Sequence, residues 1–195
     1  MDMDHDDEPN SADEELVRLF VDQAAAWARA NAARIGIAYH SDGGWELWLE
    51  VELYVWLTQH APDLTVTRQA HSYAHGDSDR RADLLLDGRV VVELKAETSL
   101  ESADAFAARV ERDRAKVDGV DDSADSIDYE YEEGDAVAEN EDGDAEETSG
   151  EDDVTPAAVV AFAFSTGGKG AVRALDVFFE QNNAGPLSIF WELTG

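Results

Sequence analysis

Residues 81–97 of the chain read RADLLLDGRVVVELKAE, and this stretch decides how the remainder folds. It holds two apolar runs, 81–86 and 90–97, separated by Asp87-Gly88, the dipeptide of a tight hairpin turn. Side chains alternate between the faces of a strand, so Glu93 and Lys95, two residues apart, share a face. Whether Asp83 joins them depends on the loop. A strict two-residue turn pairs Leu86 with Arg89 and sets Asp83 opposite Val92, on the other face from Glu93. A three-residue loop, Asp87-Gly88-Arg89, or an equivalent bulge pairs Leu86 with Val90 and Asp83 with Glu93. We expect the longer loop, because it alone gathers two carboxylates and an ammonium where a divalent ion can bind.

Working outward, 64–72 is a third strand candidate beside the hairpin. Upstream, Leu16, Leu19, Phe20, Gln23, Ala24, Trp27 and Ala30 recur at helical spacing and predict a helix over 13–35, with Ser11 and Glu14 as a capping box. After the break at Ser41-Asp42-Gly43-Gly44, a second apolar helix runs from Trp45 to about Gln59, ended by Pro62. Downstream come a basic amphipathic helix at 102–117, a buried strand at 157–165, a helix at 169–182 and a last strand at 187–193. The expected class is α/β, a mixed central sheet of about five strands flanked by helices in the order α-α-β-β-β-α-β-α-β. Residues 1–12 read as an acidic disordered tail and 13–195 as one domain, interrupted by a disordered acidic insertion at 118–153.

The formal net charge is -31, yet it is unevenly spread. Residues 1–15 carry eight Asp/Glu and residues 118–153 carry eighteen, with no Lys or Arg in either. That leaves 19 acids against 14 bases, a core of about -5 between two polyanionic segments. The chain has no cysteine, which excludes disulfides and thiolate metal sites. MDMDHDDEPN at the start is acidic where a secretory signal is basic and then apolar, and no run approaches the apolar length of a membrane span. A cytoplasmic location without a membrane partner is therefore expected. Eleven of the 14 bases are Arg and three are Lys. Few lysines, abundant Asp/Glu and no cysteine resemble the protein style of salt-loving archaea, in whose cytoplasm the screening length falls to about 3 Å, so acidic segments repel DNA weakly.

From Trp45 to the C-terminal strand, the order of elements and the motifs resemble the PD-(D/E)XK nuclease superfamily, which has the restriction-endonuclease-like fold. In that family an Asp opens the second strand, a Glu or Asp and a Lys sit two apart on the third, and the helix before the sheet often supplies another Glu. Here these are Asp83, Glu93, Lys95 and one of Glu46, Glu50 and Glu52; Ala82 stands where the proline of the family's name would fall. At 100° per residue, Glu46 and Glu50 lie about 100° and 140° from Trp45, whereas Glu52 lies at about 340°. That places Glu52 within the stripe of Trp45, Trp48, Val55 and Trp56. A carboxylate on a buried face must be paired, protonated or bound to metal, and Glu52 is the expected site residue. Pairing with an arginine such as Arg81 is the alternative.

The resemblance implies Mg²⁺ or Mn²⁺ held by Asp83, Glu93, the carbonyl of Leu94 and Glu52, with Lys95 positioning the attacking water. It implies DNA as the partner, with room for a homodimer. Related nucleases often carry Asp-x-x-Lys on the next helix, and Asp113-Arg114-Ala115-Lys116 fits; Arg112 and Lys116 are candidate phosphate contacts, or simply a solvated face. Ser165-Thr166-Gly167-Gly168-Lys169-Gly170 lacks the nucleotide-binding spacing and reads as a strand-to-helix turn, though Lys169 is a third candidate for a DNA phosphate. His71 and His75 have no partner motif and read as ordinary polar residues. The expected function is divalent-metal-dependent DNA hydrolysis in restriction, repair or recombination. Its rival is an idle nuclease-like binding module in a DNA-processing or defence complex.

Overall fold

The computed structural model describes residues 11–42, 44–70, 81–117 and 156–194. The acidic tail up to Asn10, His71, His75 and the insertion at 118–153 lie outside them. The elements are α1 (Ser11–Ala30), α2 (Ala32–Tyr39), α3 (Glu46–His60), β1 (Val66–Ala70), β2 (Ala82–Leu86), β3 (Val90–Ala96), α4 (Ala103–Val117), β4 (Ala157–Ala163), α5 (Thr166–Arg173), β5 (Phe179–Ala184) and β6 (Leu187–Thr194). The architecture is α/β with a mixed sheet ordered β1-β2-β3-β4-β6-β5. Among the described residues only the β3–β4 pair is parallel, and α4 lies in the crossover that a parallel pair requires.

The alternation of side chains divides the core into two layers. Leu84, Leu86, Val90, Val92 and Leu94 join Val160, Phe162 and Ile189 under Leu49, Leu53 and Leu57 of α3 and Val17, Phe20 and Ala24 of α1. On the opposite face Val159, Ala161 and Ala163 meet Phe106 and Val110 of α4 and Val172 of α5. All seven residues of β4 are buried, as its unbroken apolar run requires. Among the described residues, no helix is long and apolar enough to cross a membrane.

The structure corrects two expectations here. The helix expected over 13–35 is broken at Asn31, whose side-chain amide donates to the Trp27 carbonyl at 2.9 Å and so competes with the helix's own bonding. The helix expected over 169–182 stops at Arg173, and the chain turns at Asp176 (φ 56°) into an edge strand that raises the sheet to six. Phe179 pairs with Trp191 across β5–β6 and stacks on it at 4.8 Å, a contact that suits an aromatic strand residue.

Candidate active site

The hairpin combines both turn readings. Asp87 and Gly88 have φ of 49° and 70°, and the Arg89 N–H donates to the Leu86 carbonyl at 3.0 Å, as in a two-residue turn. The ladder nevertheless pairs Leu86 with Val90, Leu85 with Val91 and Leu84 with Val92, so Arg89 is the additional residue and the three-residue register is realised. Thr65 fixes the turn from outside, accepting from the Asp87 N–H at 2.8 Å and donating its own N–H to the Asp87 carboxylate at 2.8 Å. This register sets Asp83 level with Glu93. Pairing stops one step short of them, because Asp83 Oδ2 accepts the Leu94 N–H at 2.8 Å and the strands part there.

Lys95 lies at this parting and is nearly enclosed, its side chain 13% exposed. Its ammonium donates to Glu46 at 3.0 Å, to Asp113 at 2.6 Å and to the Leu94 carbonyl at 2.9 Å, which uses all three N–H groups. Glu46 is the first residue of α3, where the helix dipole favours a carboxylate. Its other oxygen accepts the Ala96 N–H at 2.9 Å and faces Arg109 at 3.3 Å. Arg109 also donates to Glu101 and to the Ala96 carbonyl. Burial alone would lower the Lys95 pKa, but Glu46 and Asp113 overcome it and hold the group above the ordinary lysine range. For Asp113, burial acts upward, while bonds from Lys95 and Lys116 keep its carboxyl below the usual value.

Glu52, the expected helix carboxylate, lies away from this cluster. Its partner is Arg34 of α2, at 2.5 and 2.8 Å. The tryptophan stripe of α3 does not face the sheet: Trp48 packs on Trp27 of α1 at 5.8 Å and lies under Arg34. The sheet-facing stripe is Leu49, Leu53 and Leu57, and Glu46 and Glu50 belong beside it. Glu50, 3% exposed, accepts from Arg68 at 2.8 Å and from Gln69 at 3.0 Å. Sequence reasoning weighed Glu46 and Glu50 and passed them over, although the leucine spacing marked their side. The roles of Arg109 and Glu101 were missed, since nothing local in the sequence announces a contact between a loop and the helix after it.

Glu93 is half-buried on the side of the sheet that faces α4, and among the described residues it is not part of the cleft wall. Leu94, the expected carbonyl ligand, gives its carbonyl to Lys95. Of the proposed phosphate contacts, Arg112 is exposed on α4, whereas Lys116 pairs with Asp113 at 2.9 Å. Lys169 is turned to the Pro186 carbonyl at 2.9 Å in the β5–β6 turn. The glycine-rich stretch forms the N-cap and first turns of α5, and the anion place at that helix start is filled from within. Glu97, 2% exposed, accepts the N–H groups of Phe164 at 2.7 Å and Ser165 at 2.8 Å and the Ser165 hydroxyl, taking the place of an external anion.

Glu46, Glu50, Gln69, Asp83, Glu101 and Arg109 line an open cleft of about 660 Å³ at this end of the sheet. Each acid in it other than Asp83 has a cationic partner: Glu46 has Lys95 and Arg109, Glu50 has Arg68, and Glu101 has Arg109. Asp83 forms no ion pair among the described residues. Burial first, then Glu46 and Glu50, push its carboxyl up to about 6, against the pull of the Leu94 N–H and Lys95. Among the described residues no three His, Asp or Glu side chains stand together as a ready metal cage. The donor set still fits Mg²⁺, a hard ion that takes oxygen ligands and is often held by one or two carboxylates while keeping its waters. Asp83 is the carboxylate whose charge is left for such an ion.

The raised value fixes the sign of a pH effect. The native chain holds the Asp83 proton more tightly than the unfolded chain, so stability falls as pH rises from about 4 through 6. In chelator-containing buffer, Asp83→Asn is expected to stabilise the fold at pH 8 by about 2 kcal/mol and to flatten that slope. Urea unfolding of both proteins from pH 4 to 8 measures it; parallel curves would place Asp83 in an ordinary aqueous setting.

Compared with protein-family models, curated proteins and solved structures, the chain matches none.

Proposed function

We propose that the chain is a divalent-metal-dependent phosphodiesterase of the PD-(D/E)XK type that acts on DNA. One observation carries the reading: Asp83 of β2, Lys95 of β3 and Glu46 of the helix before the sheet converge at one end of the sheet, with Asp83 lacking an ion pair among the described residues. The antiparallel β1-β2-β3 meander, the α4 crossover and the parallel β4 support it, as does Asp113 of the Asp-x-x-Lys motif bonded to Lys95. In this reading Asp83, rather than Glu93 and Glu52, holds Mg²⁺ or Mn²⁺, and Glu46 stands beside it with its oxygens on Lys95, the Ala96 N–H and Arg109. The bound ion would neutralise phosphate charge and acidify a water. Glu46 and Asp113 fix the Lys95 ammonium beside Asp83, where a phosphate oxygen can replace the Leu94 carbonyl as its third partner. Arg109, braced by Glu101, offers a second cation, on the cleft wall itself.

Supercoiled, linear, single-stranded and branched DNA, incubated in molar KCl with Mg²⁺ or Mn²⁺, test this. The wild-type chain is expected to cut at least one of them, and Asp83→Asn and Glu46→Gln to cut about 100-fold more slowly or not at all. Equal cutting by all three proteins would mark a contaminant and overturn the proposal. The second reading is the idle binding module, and the saturation of Lys95 by three protein acceptors favours it. DNA retained but uncut by the wild-type chain would decide for that module.

A further inference from the structure

Beside the cleft is a second, smaller pocket of about 350 Å³, and the two share Gly44 and Trp45 as a common wall. Its character differs. The cleft is lined by carboxylates and their cations, whereas this pocket is lined by Ile37, Ala38, Trp45 and Trp48, with Arg34 as its charged member. Ile37 is 76% exposed at the rim.

Arg34 is held flat. Its guanidinium donates two bonds to Glu52, at 2.5 and 2.8 Å, and a third to Asn31 at 3.2 Å, and it lies 5.2 Å from the centre of the Trp48 ring. A fork–fork pair restricts an arginine to one plane, and the ring behind it closes one face of that plane. With its side chain 55% exposed, Arg34 presents a rigid, planar, cationic surface at the mouth of an apolar pocket. Such a surface stacks on a π system, and bases stack on arginine planes and on aromatic rings alike. A simple anion is a poor occupant, because Glu52 already neutralises the charge of Arg34 and the other lining residues are uncharged apart from that pair.

We propose that the pocket is a stacking site for one nucleobase of a single-stranded or frayed DNA segment, with the Arg34–Trp48 stack as its shelf and Ile37 as its apolar edge. The inference rests on the nuclease reading for its ligand: a strand whose phosphate lies beside Lys95 would pass Gly44 and Trp45, the wall that the two cavities share, to bring a base here. Glu52 then serves as the positioning residue that keeps the shelf planar.

The test uses a short single-stranded oligonucleotide carrying one 2-aminopurine, added in molar KCl with chelator to the full chain and to Arg34→Lys and Arg34→Ala. Quenching by the wild-type protein is expected, with affinity about fivefold or more lower in both variants, the low end for loss of one stacked base. Arg34→Lys keeps the charge and an ion pair with Glu52 but not the plane, so a lysine variant that binds and quenches like wild type overturns the shelf. An oligonucleotide with an abasic gap that binds as well as the intact one overturns it too. Magnesium-dependent cutting is scored separately on the same preparations. Quenching without cutting removes the nuclease reading and upholds the stacking site; cutting without quenching removes the stacking site alone.

Discussion

Lys95→Met is expected, on the proposed nuclease reading, to abolish DNA cutting, by about 100-fold or more, and separately to lower the melting temperature by about 6–12 °C. The activity loss follows from removing the ammonium fixed beside Asp83. The stability loss follows from what remains. Glu46 and Asp113, bonded to Lys95 at 3.0 and 2.6 Å, would face a methyl group, each left with one cation, Arg109 at 3.3 Å and Lys116 at 2.9 Å. Breaking a buried pair by deleting one partner costs about 3–5 kcal/mol, and the partial exposure of Glu46 argues for the lower end, about 3 kcal/mol. For a chain of this size each kcal/mol moves the melting point about 2–4 °C. Glu46→Gln in the Lys95→Met background removes one of the two charges that Lys95 had balanced, so it should recover part of the melting point and none of the activity. Thermal unfolding beside the cleavage assay checks both. Full activity in Lys95→Met would take the residue out of the reaction, and an unchanged melting point would mean that water, not Lys95, satisfies the two acids.

The second large effect is expected at Gly168. It lies in the first turn of α5, where alanine would ordinarily stabilise a helix by up to about 1 kcal/mol. Here a Cβ would overlap the Glu97 carboxyl group, which is buried and held by Phe164 and Ser165. The carboxylate can yield only by leaving those N–H groups unpaired, so Gly168→Ala should destabilise by about 3 kcal/mol. Glu97→Ala alone should also destabilise, for the same unpaired donors. In the Glu97→Ala background, however, the obstacle has gone, and Gly168→Ala should become neutral or stabilising. A double-mutant cycle by urea unfolding measures that reversal of sign. Additive costs would show that Glu97 and Gly168 do not meet.

How much of this was legible depends on how local the deciding interaction is. The β2–β3 register could be read because parity and loop length are properties of seventeen consecutive residues, and the Arg89 addition satisfies both. Strand β4 could be read because burial on both faces leaves no polar position. Glu52 was misplaced because α3 is apolar on more than one side: its tryptophans pack against α1 and α2 while its leucines pack against the sheet. A helix with two buried faces has no single moment to point with. The 169–182 segment failed for a related reason. Val172 and Leu175 fit a helical spacing, but Phe178 packs on the layer of α4 and α5 and Phe179 opens an edge strand whose partner β6 lies further along the chain. Asp113 was noticed as part of a motif, yet its bond to Lys95 joins residues eighteen apart and needed the crossover geometry to appear.

The acidic insertion follows Val117 of α4 and precedes Pro156, just ahead of β4. Val117 packs on the cluster of Ala82, Val91 and Ala157, and Ala157 pairs with Val91 near the start of β3, whereas Lys95 and Ala96 lie near its end. The sheet therefore asks of the intervening chain only that it connect two points already in one cluster. Each doubling of a connection's length costs about 0.6 kcal/mol in closure entropy, so the junction tolerates large changes of length at little expense to the fold. For an engineer this is a graft point: a tag or a second domain could be spliced between Val117 and Pro156 at the end of the parallel pair away from the cleft.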